Sequence, residues 1–82
     1  MYLAKVYVTL KPLVNDPQGL TIRGALHNLG FGAVQSVRAG KYFEIKVEAG
    51  GKAEAEQAVG AMCAQLLANP VIEEYRFEVV PA

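Results

Sequence analysis

His27 is the only histidine in the chain and Cys63 the only cysteine, which leaves few places for metal or nucleophile chemistry. A zinc-type site needs three or four Cys, His or acidic ligands at set spacings, and none accompanies His27, one helical turn after Arg23. It reads as a histidine on the flank of a helix. Cys63 falls on an apolar helical stripe, where a buried free thiol packs as a small hydrophobe and stays inert without a base beside it. Glu73 and Glu74 are neighbours in an expected strand, so they point to opposite faces and form no acid–base pair. Glu54 and Glu56 read as exposed helix charges. No catalytic residue, metal ligand or cofactor-binding residue is assigned, and no cofactor is expected on this chain.

Two local strings carry the remaining signals. Asp16-Pro17-Gln18-Gly19 combines helix-start residues with a glycine that is a poor helix former. That glycine suits close approach by another backbone, from a partner or a neighbouring strand. A helix N-terminus attracts anions, but no GxxxxGK[ST] phosphate loop accompanies it. Arg38-Ala39-Gly40-Lys41-Tyr42 is a small basic hairpin, serving ordinary turn chemistry or contact with an acidic group on a partner.

The elements that position these residues follow from periodicity. Ala4, Val6, Val8 and Leu10 alternate with Leu3, Lys5, Tyr7 and Thr9, which predicts a half-buried strand over 2–10. Asp16 caps and Pro17 starts a helix whose apolar stripe is Ile22, Ala25, Leu26 and Leu29, ending at Gly30-Phe31-Gly32. A weaker strand is expected over 33–39 and a clean one over 41–48, with Phe43, Ile45 and Val47 inward. A second helix is expected over 52–68 with the stripe Ala55, Val59, Met62, Cys63 and Leu66, stopped by Asn69-Pro70. A last strand comes over 71–80, with Tyr75, Phe77 and Val79 on one face and Pro81 ending its pairing. The order βαββαβ predicts a ferredoxin-like α+β sandwich: a four-stranded antiparallel sheet with two helices on one face, one domain over 1–82.

Composition narrows the function classes. An apolar fraction of 52% argues against disorder, and zero net charge argues against a nucleic-acid partner, which would call for a basic surplus. No apolar run reaches the roughly 18 residues of a membrane span, and the first residues lack a signal-peptide layout. The expectation is a soluble cytoplasmic protein without membrane contact. A chain this short buries only roughly 60–65% of its unfolded surface, which favours oligomerisation. The sheet face away from the helices carries Leu3, Lys5, Tyr7, Tyr42, Glu44, Lys46, Glu48, Arg76 and Glu78. It reads either as a solvated face or as a self-association surface, for which Leu3, Tyr7, Tyr42 and Arg76 are the candidates.

Four stretches carry a resemblance to a known family: Lys5–Val8; Asp16–Gly19 with Ala25-Leu26-His27; Val37–Glu44; and Met62-Cys63 with Leu66–Glu73 and Tyr75. In this order and spacing the chain resembles, almost end to end, the PurS-type subunits of phosphoribosylformylglycinamidine synthase. Phe31-Gly32-Ala33 departs from relatives that often carry an acidic residue there. The resemblance implies a non-catalytic subunit in purine (IMP) biosynthesis. ATP and Mg would belong to a PurL-type synthetase subunit and glutamine hydrolysis to a PurQ-type glutaminase. This chain, as a homodimer or tetramer, would bridge the two and support ammonia transfer. Asp16, Pro17, Gln18, Gly19, Arg38, Gly40, Lys41, Tyr42, Asn69 and Pro70 are the expected partner contacts, being loop ends that packing alone does not dictate. The alternative is a stand-alone dimeric ligand-binding regulatory module of the same fold. An acylphosphatase would need an arginine after the first strand, a metal chaperone a CxxC there, and an RNA-recognition module an aromatic and basic signature. None is present.

Overall fold

The computed structural model describes all residues 1–82. Five elements succeed one another: β1 (Tyr2–Leu10), α1 (Pro17–Asn28), β2 (Gly40–Val47), α2 (Lys52–Met62) and β3 (Glu73–Pro81). The strands form a three-stranded antiparallel sheet in the order β2-β1-β3. β1 therefore lies between Val6↔Phe43 on one side and Val6↔Phe77 on the other.

Alternation on β1 sorts its residues between faces as expected. Ala4, Val6 and Val8 are fully buried and join Val79 with Ala55 and Val59 of α2 and Cys63 just after it. Phe43, Ile45, Val47 and Phe77 pack around this core. α2 starts after Gly51, and Glu54 in its first turn accepts the Gly50 N–H at 3.1 Å. The chain then widens into a π turn over Cys63–Leu67, closed by Ala68 N–H donating to Cys63 O.

That turn corrects the expected stripe. One extra residue in a turn rotates the residues after it by roughly 100°. Leu66, expected to point inward, is 83% exposed, and Ala68 is buried instead. β3 also differs at its ends. Val71 and Ile72 lie in the turn before it, and Pro81 pairs opposite Tyr2.

The larger correction concerns the fourth strand and the first helix. Residues 33–39 pair with no strand, so the sheet has three strands, not the four of a ferredoxin-like sandwich. They run beside α1, joined to it by His27 Nε2 donating to Val34 O at 2.9 Å and Arg23 Nε donating to Gln35 O at 3.0 Å. Gly19 allows this approach, since a Cβ there would sit 2.1 Å from Val37 O. α1 and this segment form an arm, turned at Gly30 (φ 100°), whose stripe is not buried on the sheet: Ile22 is 37% and Leu29 73% exposed. The second expected helix layer is thus absent from the sheet's covered face.

The resulting shape is elongated, 51 × 27 × 14 Å, with a radius of gyration of 16.2 Å. A compact chain of this length would have about 12 Å. The accessible surface, 5718 Å², exceeds the roughly 4,800 Å² expected of a compact monomer of 8.8 kDa.

Candidate partner-contact site

The three segments expected to contact partners, Tyr42 apart, meet at one end of the sheet, where β1 ends and β2 and β3 begin. Asp16 is the first joint. It is buried, its Oδ1 accepts the Gly19 N–H at 2.9 Å and its Oδ2 the Ala39 N–H at 2.7 Å. One carboxylate thus caps α1 and clamps the start of β2 to it. These two N–H donors, Ala39 first, hold its carboxyl below the ordinary carboxylate range; burial opposes them and Arg38 assists.

Lys11 is the second joint. Its N–H donates to Ile72 O at 2.9 Å, its Nζ to Pro70 O at 2.8 Å, and its own carbonyl accepts Arg38 Nη2 at 3.0 Å. Glu73 is the third. Its Oε1 accepts the Asn69 N–H at 2.7 Å, and its Oε2 lies 3.5 Å from Lys41 Nζ. Asn69 adds a local turn, its Oδ1 accepting the Val71 N–H at 3.0 Å. The expected basic hairpin is not one, because residues 33–39 form no strand and Arg38 and Ala39 simply lead into β2; that segment, the helix start and the Asn69-Pro70 corner are therefore one polar cluster. Gln18, Gly40 and Lys41 line a cleft of about 160 Å³ over Val8 and Leu10. Tyr42 stands apart from it, on the other face of the sheet.

Lys11 and Glu73 tie the cluster together, yet sequence reasoning assigns them no site role. A signal is present, since each flanks a proline-bearing corner. Their partners across the fold are not visible in the sequence.

On the open face, cross-strand register places Tyr42, Tyr7 and Arg76 in one row and Glu44, Lys5 and Glu78 in the next. The Tyr7 and Tyr42 rings lie 5.0 Å apart, and the Arg76 guanidinium sits 4.1 Å above the Tyr7 ring. Tyr42 donates to Glu44 at 2.9 Å, and its hydroxyl is pushed up to about 12, first by desolvation and then by that bond to a carboxylate. Leu3 lies opposite Lys46 in the same face. Tyr7, Tyr42 and Arg76 thus form one contiguous row, and Leu3 lies beyond the charged row of Glu44, Lys5 and Glu78.

His27 is spent on the arm and Cys63 lies in the core, where burial pushes its thiol up. Glu73 and Glu74 do point apart, opposite Leu10 and Thr9 respectively. No group of three His, Cys, Asp or Glu side chains is placed to hold a metal ion. No helix is long and apolar enough to cross a membrane.

Comparison with known proteins places this geometry. The family model for PurS, phosphoribosylformylglycinamidine (FGAM) synthase, matches residues 3–81. The phosphoribosylformylglycinamidine synthase subunit PurS of Bacillus subtilis is 49% identical over 79 residues, covering 96% of this chain and 93% of its own. The crystal structure of Methanocaldococcus jannaschii PurS, a subunit of formylglycinamide ribonucleotide amidotransferase in the purine biosynthetic pathway, superposes with a TM-score of 0.91 at 40% identity, covering 100% of this chain and 99% of that one. A chain in the structure of PurLQS from Thermotoga maritima superposes with a TM-score of 0.86 at 33% identity, covering 98% and 99%. The three-stranded sheet and its detached first helix arm are therefore carried by a chain that belongs to the PurS family.

Proposed function

We propose that this chain is a non-catalytic subunit of phosphoribosylformylglycinamidine synthase. It associates with itself as a dimer or tetramer and joins an ATP- and Mg-dependent synthetase subunit to a glutaminase subunit, so that ammonia passes between them. Family membership supports the assembly, and the PurLQS structure of a relative fits it. The observation that carries the contact role is the surplus of exposed surface. It amounts to about 900 Å² over a compact monomer, comparable to the roughly 800 Å² each partner contributes to a standard interface. A chain so shaped gains stability by being covered.

Bridging needs shape and hydrogen-bonding groups at a junction and no reacting group. Ammonia that met bulk water would be protonated and lost as a nucleophile, so the junction's task is to exclude water. The cluster of Asp16, Lys11 and Glu73 fixes three loops as one rigid surface for that purpose. The open face with Leu3, Tyr7, Tyr42 and Arg76 is the self-association surface.

A stand-alone ligand-binding module has less support. The three clefts hold about 160–200 Å³ each, below the roughly 300–1,000 Å³ of small-molecule sites. Reconstitution tests the reading. Reversing charge at Arg38 and Lys41 together should weaken assembly with the synthetase and glutaminase subunits. Unchanged affinity would remove those residues from the contact surface.

A further inference from the structure

The cleft between α1 and residues 35–38 holds about 200 Å³, and Arg23 and Arg38 both line it. Each guanidinium donates to a backbone carbonyl: Arg23 Nε to Gln35 O and Arg38 Nη2 to Lys11 O, both at 3.0 Å. Neither forms an ion pair within the chain, whereas Lys5 and Lys41 do, with Glu78 and Glu73. Asp16, the one acid lining the cleft, has both oxygens committed to backbone N–H groups. Two guanidinium groups lining one cleft, each anchored by one bond and keeping other N–H groups without a partner in the chain, suit recognition of a carboxylate or phosphate.

We propose that this cleft receives a carboxylate side chain, Asp or Glu, from another subunit of the synthase, gripped between Arg23 and Arg38. The proposal rests on the subunit reading above. Volume and charge select the occupant. The space suits one side chain and is too small for a nucleotide. Two arginines and Asp16 sum to one positive charge, which balances a carboxylate and not a dianionic phosphate. The exposed Leu20 at the cleft's edge would meet the apolar stem of such a side chain. The chain's own acids are poor donors to a second copy. Asp16, Glu44, Glu54, Glu73 and Glu78 are already engaged, and Glu48, Glu56 and Glu74 lie on or beside regular elements, not on projecting loops.

The test is binding of the full chain to the synthetase and glutaminase subunits, comparing native protein, the double variant Arg23→Gln/Arg38→Gln, and Lys52→Gln as a charge control outside the cleft. The double variant should bind at least about tenfold more weakly and lose the salt sensitivity of the native association, while Lys52→Gln binds normally. Preserved amide-proton dispersion would show that the arm stays folded. Arg38→Lys should recover only part of the affinity, because a point charge cannot replace the fork.

Native-like binding by the double variant would overturn the proposal. So would a change in the chain's own oligomeric state with partner affinity intact, which would make a second copy the occupant. Sub-millimolar binding of inorganic phosphate, displaced by neither partner, would overturn it in favour of a phosphate site. Failure of the native chain to bind either subunit would refute the subunit reading itself, and the proposal with it.

Discussion

Replacing Gly19 with alanine should loosen the arm, although helix propensity alone predicts the reverse. Alanine in a helix interior is favoured over glycine by about 1 kcal/mol. At Gly19, however, the added Cβ would lie 2.1 Å from Val37 O and 3.0 Å from Asp16 Oδ2. Backbone cannot rotate away as a side chain can, so α1 and the 34–39 segment must separate by about 1 Å to restore ordinary contact. Overpacking of this kind costs about 1–3 kcal/mol. It also strains the bonds from His27 to Val34 O and from Arg23 to Gln35 O, each worth about 0.5–1.5 kcal/mol. The net expectation is a loss of about 1–3 kcal/mol confined to the arm. Gly24 is the internal control. It lies in the same helix with nothing within 4 Å of its added Cβ, so Gly24→Ala should stabilise the helix by up to about 1 kcal/mol. Amide hydrogen exchange reads both. In Gly19→Ala the amides of residue 19 and Ala39 should exchange faster while those of Val6 and Val8 hold. Equal or slower exchange at Ala39 would refute the claim that Gly19 exists to let two backbones meet.

Other predictions concern the core and the titrating groups. Val59→Ala should lower global stability by about 2–3 kcal/mol in denaturant unfolding, because Val59 is fully buried against the sheet. Asp16 has a lowered folded pKa, so its contribution is present above the unfolded value of 3.8 and is lost as pH falls through the folded value. The protection factors of Gly19 and Ala39, corrected for the intrinsic pH dependence of amide exchange, should therefore fall as pH drops through the folded value and stay flat between pH 5 and 8. Spectrophotometric titration should find one tyrosine ionising near pH 12, and Tyr42→Phe should remove that step.

Much of this architecture is legible in the sequence. Strict alternation over residues 2–10 places Val6 and Val8 inside and Lys5 and Tyr7 outside, because a period of two leaves one way to bury one face. Asp16-Pro17 announces the helix start, and the structure shows the carboxylate capping it. What covers an apolar stripe is less legible. The spacing of Ile22, Leu26 and Leu29 says that α1 must be covered, and the familiar βαββαβ sandwich supplies the sheet as the cover. The chain instead lays 33–39 along α1 and leaves the rest of the stripe exposed. Gly19 is the clue, since a glycine inside a helix start marks a close backbone approach. The π turn after Met62 leaves no mark in composition, so helical spacing alone puts Leu66 on the wrong side. The site is legible as three separate strings, but their meeting through Lys11 and Glu73 depends on contacts far apart in sequence.

Turnover tests the central claim most directly. The cognate synthetase and glutaminase subunits are assayed for glutamine-dependent formation of formylglycinamidine ribonucleotide, with and without this chain, and with ammonia supplied in parallel. The account predicts that the chain raises glutamine-dependent turnover strongly and ammonia-dependent turnover little. Glutamine-dependent turnover that is equal with and without the chain would contradict it.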